Sequence, residues 1–171
     1  RLACERHLRD LKTGRRRGLY FDRDAAGHAL RFFDFLSHSK GEWGGQPIRL
    51  EPWEQAIIWM LFGWHRTRTR TRRFRQAYIE IARKNGKSLL ASGIALYMLI
   101  GDGEPGAEVY SAATKRDQAK IVWDEAGRMV RKSPQLAGAI TVQKDKIFLP
   151  FDTASKYEPL GRDSGSMDGL N

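Results

Sequence analysis

The sequence predicts an α/β fold, a parallel sheet flanked by helices and preceded by an N-terminal helical segment. Three observations carry it. From Gln76 onward, apolar runs of strand character alternate with longer amphipathic stretches, strand–helix–strand–helix, which is the order of βαβ units. Before Gln76 the apolar residues recur mostly at helical spacing. The chain has 171 residues, 41% of them apolar and 29% charged, about one globular domain with enough length for a core of its own.

Taken in order, residues 1–11 read as a short helix ending near Gly14. Residues 23–38 read as a second, because Ala26, Leu30, Phe33 and Leu36 recur at spacings of three and four. Gly41, Gly44 and Gly45 make 40–46 a turn region. Pro52 suits a first helical turn, and 53–64 carries a broad apolar face. Residues 65–75 are an arginine-rich connector. The run 76–82 holds β-branched and aromatic residues and predicts a strand, and 88–100 returns to a helical pattern. Gly101, Gly103, Pro105 and Gly106 break the chain. Residues 107–113 then predict a strand and 115–132 a long helix. Residues 140–142 and 146–149 flank 143–145 as a hairpin, and the polar tail 155–171 reads as a loop. The expected organisation is a helical segment over 1–64, a connector over 65–75 and an α/β core over 76–171. The first residue is Arg1 rather than Met, so the chain reads as a piece of something longer.

Thirty Lys and Arg against 20 Asp and Glu give a net charge of +10, which points to a polyanionic partner. Arg15–Arg17 form one cluster; Arg66, Arg68, Arg70, Arg72, Arg73 and Arg75 form another. Either cluster could be a solvated loop or a set of phosphate contacts. The single cysteine, Cys4, excludes a disulfide scaffold and zinc sites built on Cys pairs. The longest apolar stretch, 89–100, falls well short of the roughly 18 residues of a spanning helix, so no membrane role is expected. No secretory signal is visible, and a reducing cytoplasmic setting is the expectation.

The most informative stretch is Ile81-Ala82-Arg83-Lys84-Asn85-Gly86-Lys87-Ser88. It carries the G-K-S that ends the phosphate-binding loop G-x-x-x-x-G-K-[ST], although Ile81 stands where that pattern has its first glycine. Gly86 allows a sharp turn and close backbone approach to phosphates. Lys87 brings a point charge to the β- and γ-phosphates, and the Ser88 hydroxyl can ligate Mg²⁺. The following helix turns free N–H groups toward an anion. A bare G-K-S also occurs by chance at helix starts; the expected strand before it and helix after it favour the phosphate loop.

Such a loop needs an acidic partner at the end of an apolar strand. Ile121-Val122-Trp123-Asp124-Glu125 imitates one. However, Ala119, Val122, Trp123, Ala126, Met129 and Val130 follow helical spacing, which is expected to leave Asp124 and Glu125 on a solvated face. Ile147-Phe148-Leu149-Pro150-Phe151-Asp152 is a second imitation, but Pro150 would remove a ladder N–H and favours an edge or hairpin position. The acidic strand is therefore expected beyond Asn171.

Several separated segments agree on a family. Leu50-Glu51-Pro52-Trp53-Glu54-Gln55, Leu61-Phe62-Gly63-Trp64, the loop Ala82–Ser88, Tyr110–Ala119 and Arg162-Asp163-Ser164-Gly165-Ser166-Met167-Asp168-Gly169-Leu170-Asn171 occur in that order. Together they resemble the large terminase subunit of tailed phages, the ATPase that drives DNA into a capsid, from about Leu30 to the last residue. The resemblance implies a P-loop ATPase fold, truncated here on its C-terminal side, that uses ATP and Mg²⁺ to translocate double-stranded DNA. The first glycine of the loop is commonly replaced in that family. Gln55, near Trp53, resembles the adenine-reading glutamine, with Glu54 between them departing from the usual Trp-Gln order. Arg83 resembles the loop arginine that acts on the γ-phosphate. Lys84, Asn85 and Gly86 belong to the nucleotide-binding loop, and Lys87 and Ser88 take the phosphate and Mg²⁺ roles. Residues 114–119 resemble a segment linking ATP state to DNA handling.

The resemblance further implies a small terminase subunit and a capsid portal as partners, a homo-oligomeric ring and a site of action in the host cytoplasm. Arg66, Arg68, Arg70 and Arg72 are candidates for DNA contact. Without the acidic strand, the 171-residue chain is expected to bind ATP weakly and barely hydrolyse it. Two other readings stay open: a helicase-like or repair ATPase of the same fold, and a non-enzymatic basic nucleic-acid-binding module.

Overall fold

The computed structural model describes residues Arg1–Gly161; Arg162–Asn171, which include the R-D-S-G-S-x-D-G-L-N stretch, lie outside the described residues. The chain folds as two compact units, each discontinuous in sequence. One comprises Arg1–Arg31 and Leu50–Glu80, the other Phe32–Arg49 and the residues from Ile81 onward.

The first unit is built on helices α1 (Leu2–Thr13), α2 (Arg23–Phe32, whose last residue groups with the second unit) and α3 (Pro52–Gly63), with strands β1 (Leu19–Phe21) and β2 (Trp64–Arg66) paired antiparallel. Asp22 starts α2 by accepting the Asp24 and Ala25 N–H groups at 3.0 and 2.9 Å. Pro52 and a reciprocal Glu51–Glu54 capping box start α3. The core centres on Trp64, whose Nε1 donates to His7 Nδ1 at 3.0 Å while Phe21 meets its ring edge-on. Gly63 is required there, because a Cβ would collide with Phe21 and with Ala26.

The arginine-rich connector is ordered. The chain turns back after β2, with Arg66 N–H donating to the Thr71 carbonyl at 2.9 Å and Arg73 N–H to the Trp64 carbonyl at 2.8 Å. The predicted strand over 76–82 is absent, and Tyr78 is 89% exposed. Its residues have strand propensity, but no strand among the described residues supplies a ladder for it.

The second unit holds α4 (Lys87–Leu96), prolonged by a π turn over Tyr97–Gly101, then β3 (Glu108–Ala113), α5 (Arg116–Lys132), the single turn α6 (Pro134–Ala137), β4 (Thr141–Val142), β5 (Ile147–Leu149) and β6 (Asp152–Gly161). The sheet runs β3-β6-β5-β4. Among the described residues only β3 and β6 pair in parallel, so the sheet is mixed, not the all-parallel one expected. The predicted hairpin is present as β4–β5. The expected loop from Ser155 is instead strand β6 as far as Gly161.

Two features hid that strand. Its buried positions alternate only over Ser155, Tyr157 and Pro159, of which Tyr157 alone is plainly apolar, before Leu160 and Gly161 are both buried. Pro159 is also untypical of a central strand, since it lacks a ladder N–H. Lys156 N–H donates to the Ala107 carbonyl at 2.8 Å, so alternate amides face β3 and position 159 faces the other side, where pairing with β5 ends at Tyr157.

α5 packs on the sheet, with Trp123 Nε1 donating to the Tyr157 carbonyl at 3.1 Å. The helix predicted over 23–38 ends earlier. After a 3₁₀ turn at Phe33–Phe35 the chain is extended at Leu36, because Ser37 bridges antiparallel to Pro47. Phe33 and Leu36 lie over Gly93, where a Cβ would strike the Phe33 ring. Residues 36–48 thereby form a closed strap, with His38 N–H to the Gln46 carbonyl and Ile48 N–H to the Leu36 carbonyl, both at 2.9 Å.

Candidate nucleotide-binding site

The loop Arg83–Gly86 delivers the chain into α4. Lys84 and Gly86 both adopt left-handed backbone, φ 68° and 69°, a conformation glycine accepts freely and lysine only at a cost of about 1 kcal/mol. Left-handed residues in this spacing are a feature of backbone turns whose N–H groups can converge on an anion. The loop borders a cleft of about 370 Å³ lined by His38, Ser39, Lys40, Arg83, Lys84, Gly86, Lys87, Ser88, Leu89 and Glu125. Its volume suits a small ligand. Lys87 is exposed and its Nζ donates to the Ile81 carbonyl at 3.0 Å, a contact a phosphate could replace.

The structure thus brings Arg83, Lys84, Gly86, Lys87 and Ser88 to one cleft, with Asn85 exposed on the same loop. Trp53 and Gln55 sit on α3 in the first unit. Trp53 is half-exposed, and the Gln55 side-chain amide donates to the Leu50 carbonyl at 2.8 Å. Glu54, which separates them, is buried in the capping box, with Glu51 N–H donating to its Oε2 at 2.8 Å, and burial pushes its carboxyl up. The departure from Trp-Gln order therefore has a local structural role.

The two acidic imitations part company. Asp152 lies in the β5–β6 hairpin region, where it accepts from Gly106 N–H at 3.1 Å, Ala154 N–H at 3.2 Å and the Ser155 hydroxyl. These bonds, the Ser155 one foremost, hold its carboxyl below the usual range. Residues 121–125 do belong to a helix, but Glu125 is not on a solvated face. It is 7% exposed and lines the cleft. The signal was present: Glu125 stands three residues after Val122 and four before Met129, on the stripe that packs inward. Its Oε1 accepts from Ser39 Oγ at 2.6 Å and its Oε2 from the Arg128 guanidinium at 2.8 Å. Burial pushes the carboxyl up, but these two bonds and the charges of Arg128 and Lys40 outweigh it and hold it low.

The donor set of the loop and helix start fits a nucleotide: the three flexible cations Arg83, Lys84 and Lys87, two left-handed backbone positions and the Ser88 hydroxyl. Among the described residues no group of three or more His, Cys, Asp and Glu could hold a metal ion; Ser88, the residue expected to ligate Mg²⁺, lines the cleft.

The arginines form a separate surface on the first unit. Arg66, Arg68 and Arg70 are exposed, whereas Arg72 is half-buried with its guanidinium 5.5 Å from the Phe62 ring. Pairing of Leu19 with Arg66, and of Thr67 N–H with the Gly18 carbonyl at 2.9 Å, sets exposed Arg15–Arg17 beside them.

Residues 52–171 match the family described as the terminase large subunit, ATPase domain. The chain belongs to that family. It is 31% identical over 136 residues to the large terminase subunit of Enterobacteria phage HK97, an alignment covering 77% of this chain and 25% of that protein. The crystal structure of the HK97 bacteriophage large terminase superposes with a TM-score of 0.68 at 28% identity, over 85% of this chain and 29% of that one. The chain thus spans about a quarter of the length of the terminase it matches. No helix among the described residues is long and apolar enough to cross a membrane.

Proposed function

We propose that the cleft at the start of α4 binds ATP, and that in the complete protein its hydrolysis drives double-stranded DNA into a capsid. The observation that supports this most directly is the left-handed Lys84–Gly86 loop with Arg83, Lys87 and Ser88 around one cleft, in a chain of the terminase ATPase family. Bound ATP supplies the phosphoanhydride bond. Lys87 would leave the Ile81 carbonyl for the β- and γ-phosphates, and Arg83 would meet charge developing on the γ-phosphoryl oxygens. The N–H groups of the first turn of α4 would hold the remaining phosphate oxygens, and the Ser88 hydroxyl would ligate Mg²⁺. Trp53 and Gln55 are proposed to read adenine.

The exposed Arg66, Arg68 and Arg70, with Arg72 beside them, would grip the DNA backbone without regard to sequence. A homo-oligomeric ring, working in the host cytoplasm with a small terminase subunit and a capsid portal, completes the proposal.

Titration with a fluorescent ATP analogue tests the site. Lys87→Ala should weaken binding roughly 10- to 100-fold, the worth of a charge-assisted contact, with the fold unchanged because the side chain is exposed. Equal affinity in the two proteins would refute the phosphate-loop assignment.

A further inference from the structure

The strap over residues 36–48 and the buried Glu125 have no role in the phosphate loop, yet both border its cleft. We propose that the strap is a second phosphate-binding wall, in which Lys40 contacts the nucleotide phosphates and Glu125, through Ser39, is the residue that positions it. The inference rests on the cleft being the nucleotide site.

The strap is fixed along its length. The Ser37–Pro47 bridge closes it, Ser37 N–H donates to the Ser133 hydroxyl at 3.0 Å, and Gly45 N–H donates to the His38 carbonyl at 2.8 Å. At its turn the Ser39 hydroxyl reaches across to Glu125, 86 positions away in sequence, with an O···O distance of 2.6 Å typical of a hydroxyl bonded to a carboxylate. Lys40 follows immediately. It is exposed, borders the cleft, and its charge is felt at Glu125, yet among the described residues it forms no ion pair with that carboxylate. Arg128 takes the second carboxylate oxygen instead.

This division has a consequence for anions. A bare carboxylate on the wall of a phosphate cleft would repel the ligand. Glu125, with one oxygen on Ser39 and the other on Arg128, is neutralised from its own helix and leaves the Lys40 ammonium for the cleft. Lys40 then lines the same cleft as Lys87 and Arg83, and phosphates would be held by the strap as well as by the loop. A buried carboxylate that anchors a neighbouring loop loses that anchor when its hydroxyl partner is removed or its charge neutralised.

The chain itself is titrated with fluorescent ATP, then with AMP and inorganic tripolyphosphate as competitors. Lys40→Ala should weaken ATP and tripolyphosphate about fivefold and leave AMP within twofold, while Lys40→Arg retains most of the affinity. Glu125→Gln, which keeps an acceptor for Ser39, should weaken ATP by a smaller factor. The Lys40→Ala/Glu125→Gln double variant should be no weaker than Lys40→Ala alone, because both changes act through one contact. Unchanged ATP affinity in Lys40→Ala, alongside a loss in Lys87→Ala, overturns the second wall and leaves the phosphate loop standing. Equal loss of AMP and ATP, or additive losses in the double variant, also overturns it. No loss in Lys40→Ala and none in Lys87→Ala would remove the nucleotide site itself.

Discussion

Each unit buries one carboxylate clamped by arginine, and the two are used differently. In the first unit Asp10, 1% exposed, takes Arg17 on one oxygen and Arg73 on the other at 2.6 Å, with Arg9 also within 3.5 Å. Arg73 is itself only 15% exposed and stacks over Trp64, so the cluster ties α1 to the turn after β2. In the second unit Glu125 takes one arginine from its own helix and one serine from the strap, at the edge of an open cleft. Both carboxyls are pushed up by burial and pulled below their ordinary range by their hydrogen bonds. The charge balance differs, two arginines hydrogen-bonding Asp10 against one arginine and a hydroxyl on Glu125, and so do the surroundings. A carboxylate sealed among arginines holds a fold together, and one sealed on a single side is free to shape a ligand site.

Removing each carboxylate should separate the two roles. Asp10→Ala leaves a nearly buried guanidinium without its partner and should cost about 3 kcal/mol in urea unfolding. Glu125→Ala frees only a hydroxyl and an arginine that can reach water, and should cost about 1 kcal/mol. Equal costs would erase the distinction. Acid sharpens it further. Each carboxyl is more acidic folded than unfolded, so each adds stability above its ordinary value, 3.8 for Asp10 and 4.5 for Glu125. That stability is lost as pH falls through the lower folded values. Unfolding midpoints measured between pH 6 and pH 3 should fall along an acid limb, and Asp10→Asn should flatten it. A limb of unchanged steepness would mean that Asp10 does not carry it.

The smallest effect on stability belongs to the exposed arginines beside the Asp10 cluster. Neutralising Arg66, Arg68 and Arg70 together should change the unfolding free energy by less than about 0.5 kcal/mol. It should nevertheless lower affinity for random-sequence duplex DNA and reduce the slope of log affinity against log salt by about one to three units. Unchanged slope would leave the cluster a solvated connector.

How far the sequence foretold these features follows from how local their causes are. α1, α3, α4, α5 and the β4–β5 hairpin announce themselves through spacing, caps and turn residues within the segment concerned. The loop from Arg83 to Ser88 was legible for the same reason. What was missed depends on partners far along the chain. Nothing in 155–161 says that β3 will accept it as a parallel neighbour, and apolar 76–82 looked like a strand with no ladder to join. The three-residue strand β1 has no signal apart from its pairing with β2. Helical spacing takes residues 121–125 out of a strand, but Glu125 shares the inward stripe of Val122 and Met129 and is buried with it. Its partner Ser39, like the Asp10–Arg73 pair, becomes visible only when distant segments meet.

The Ser92 hydroxyl ties α4 to α5. Ser92 is fully buried on α4, and its Oγ lies 2.6 Å from the Ser88 carbonyl and 2.7 Å from the Val122 carbonyl on α5. With one proton to give and two acceptors in reach, it works as a rivet between the helices. Sliding α4 along α5 would strand a buried polar atom at about 1–3 kcal/mol. The stagger between Ser88 at the cleft and Glu125, one turn beyond Val122, is thereby locked. Any stroke that begins at the phosphates would move both helices as a single lever.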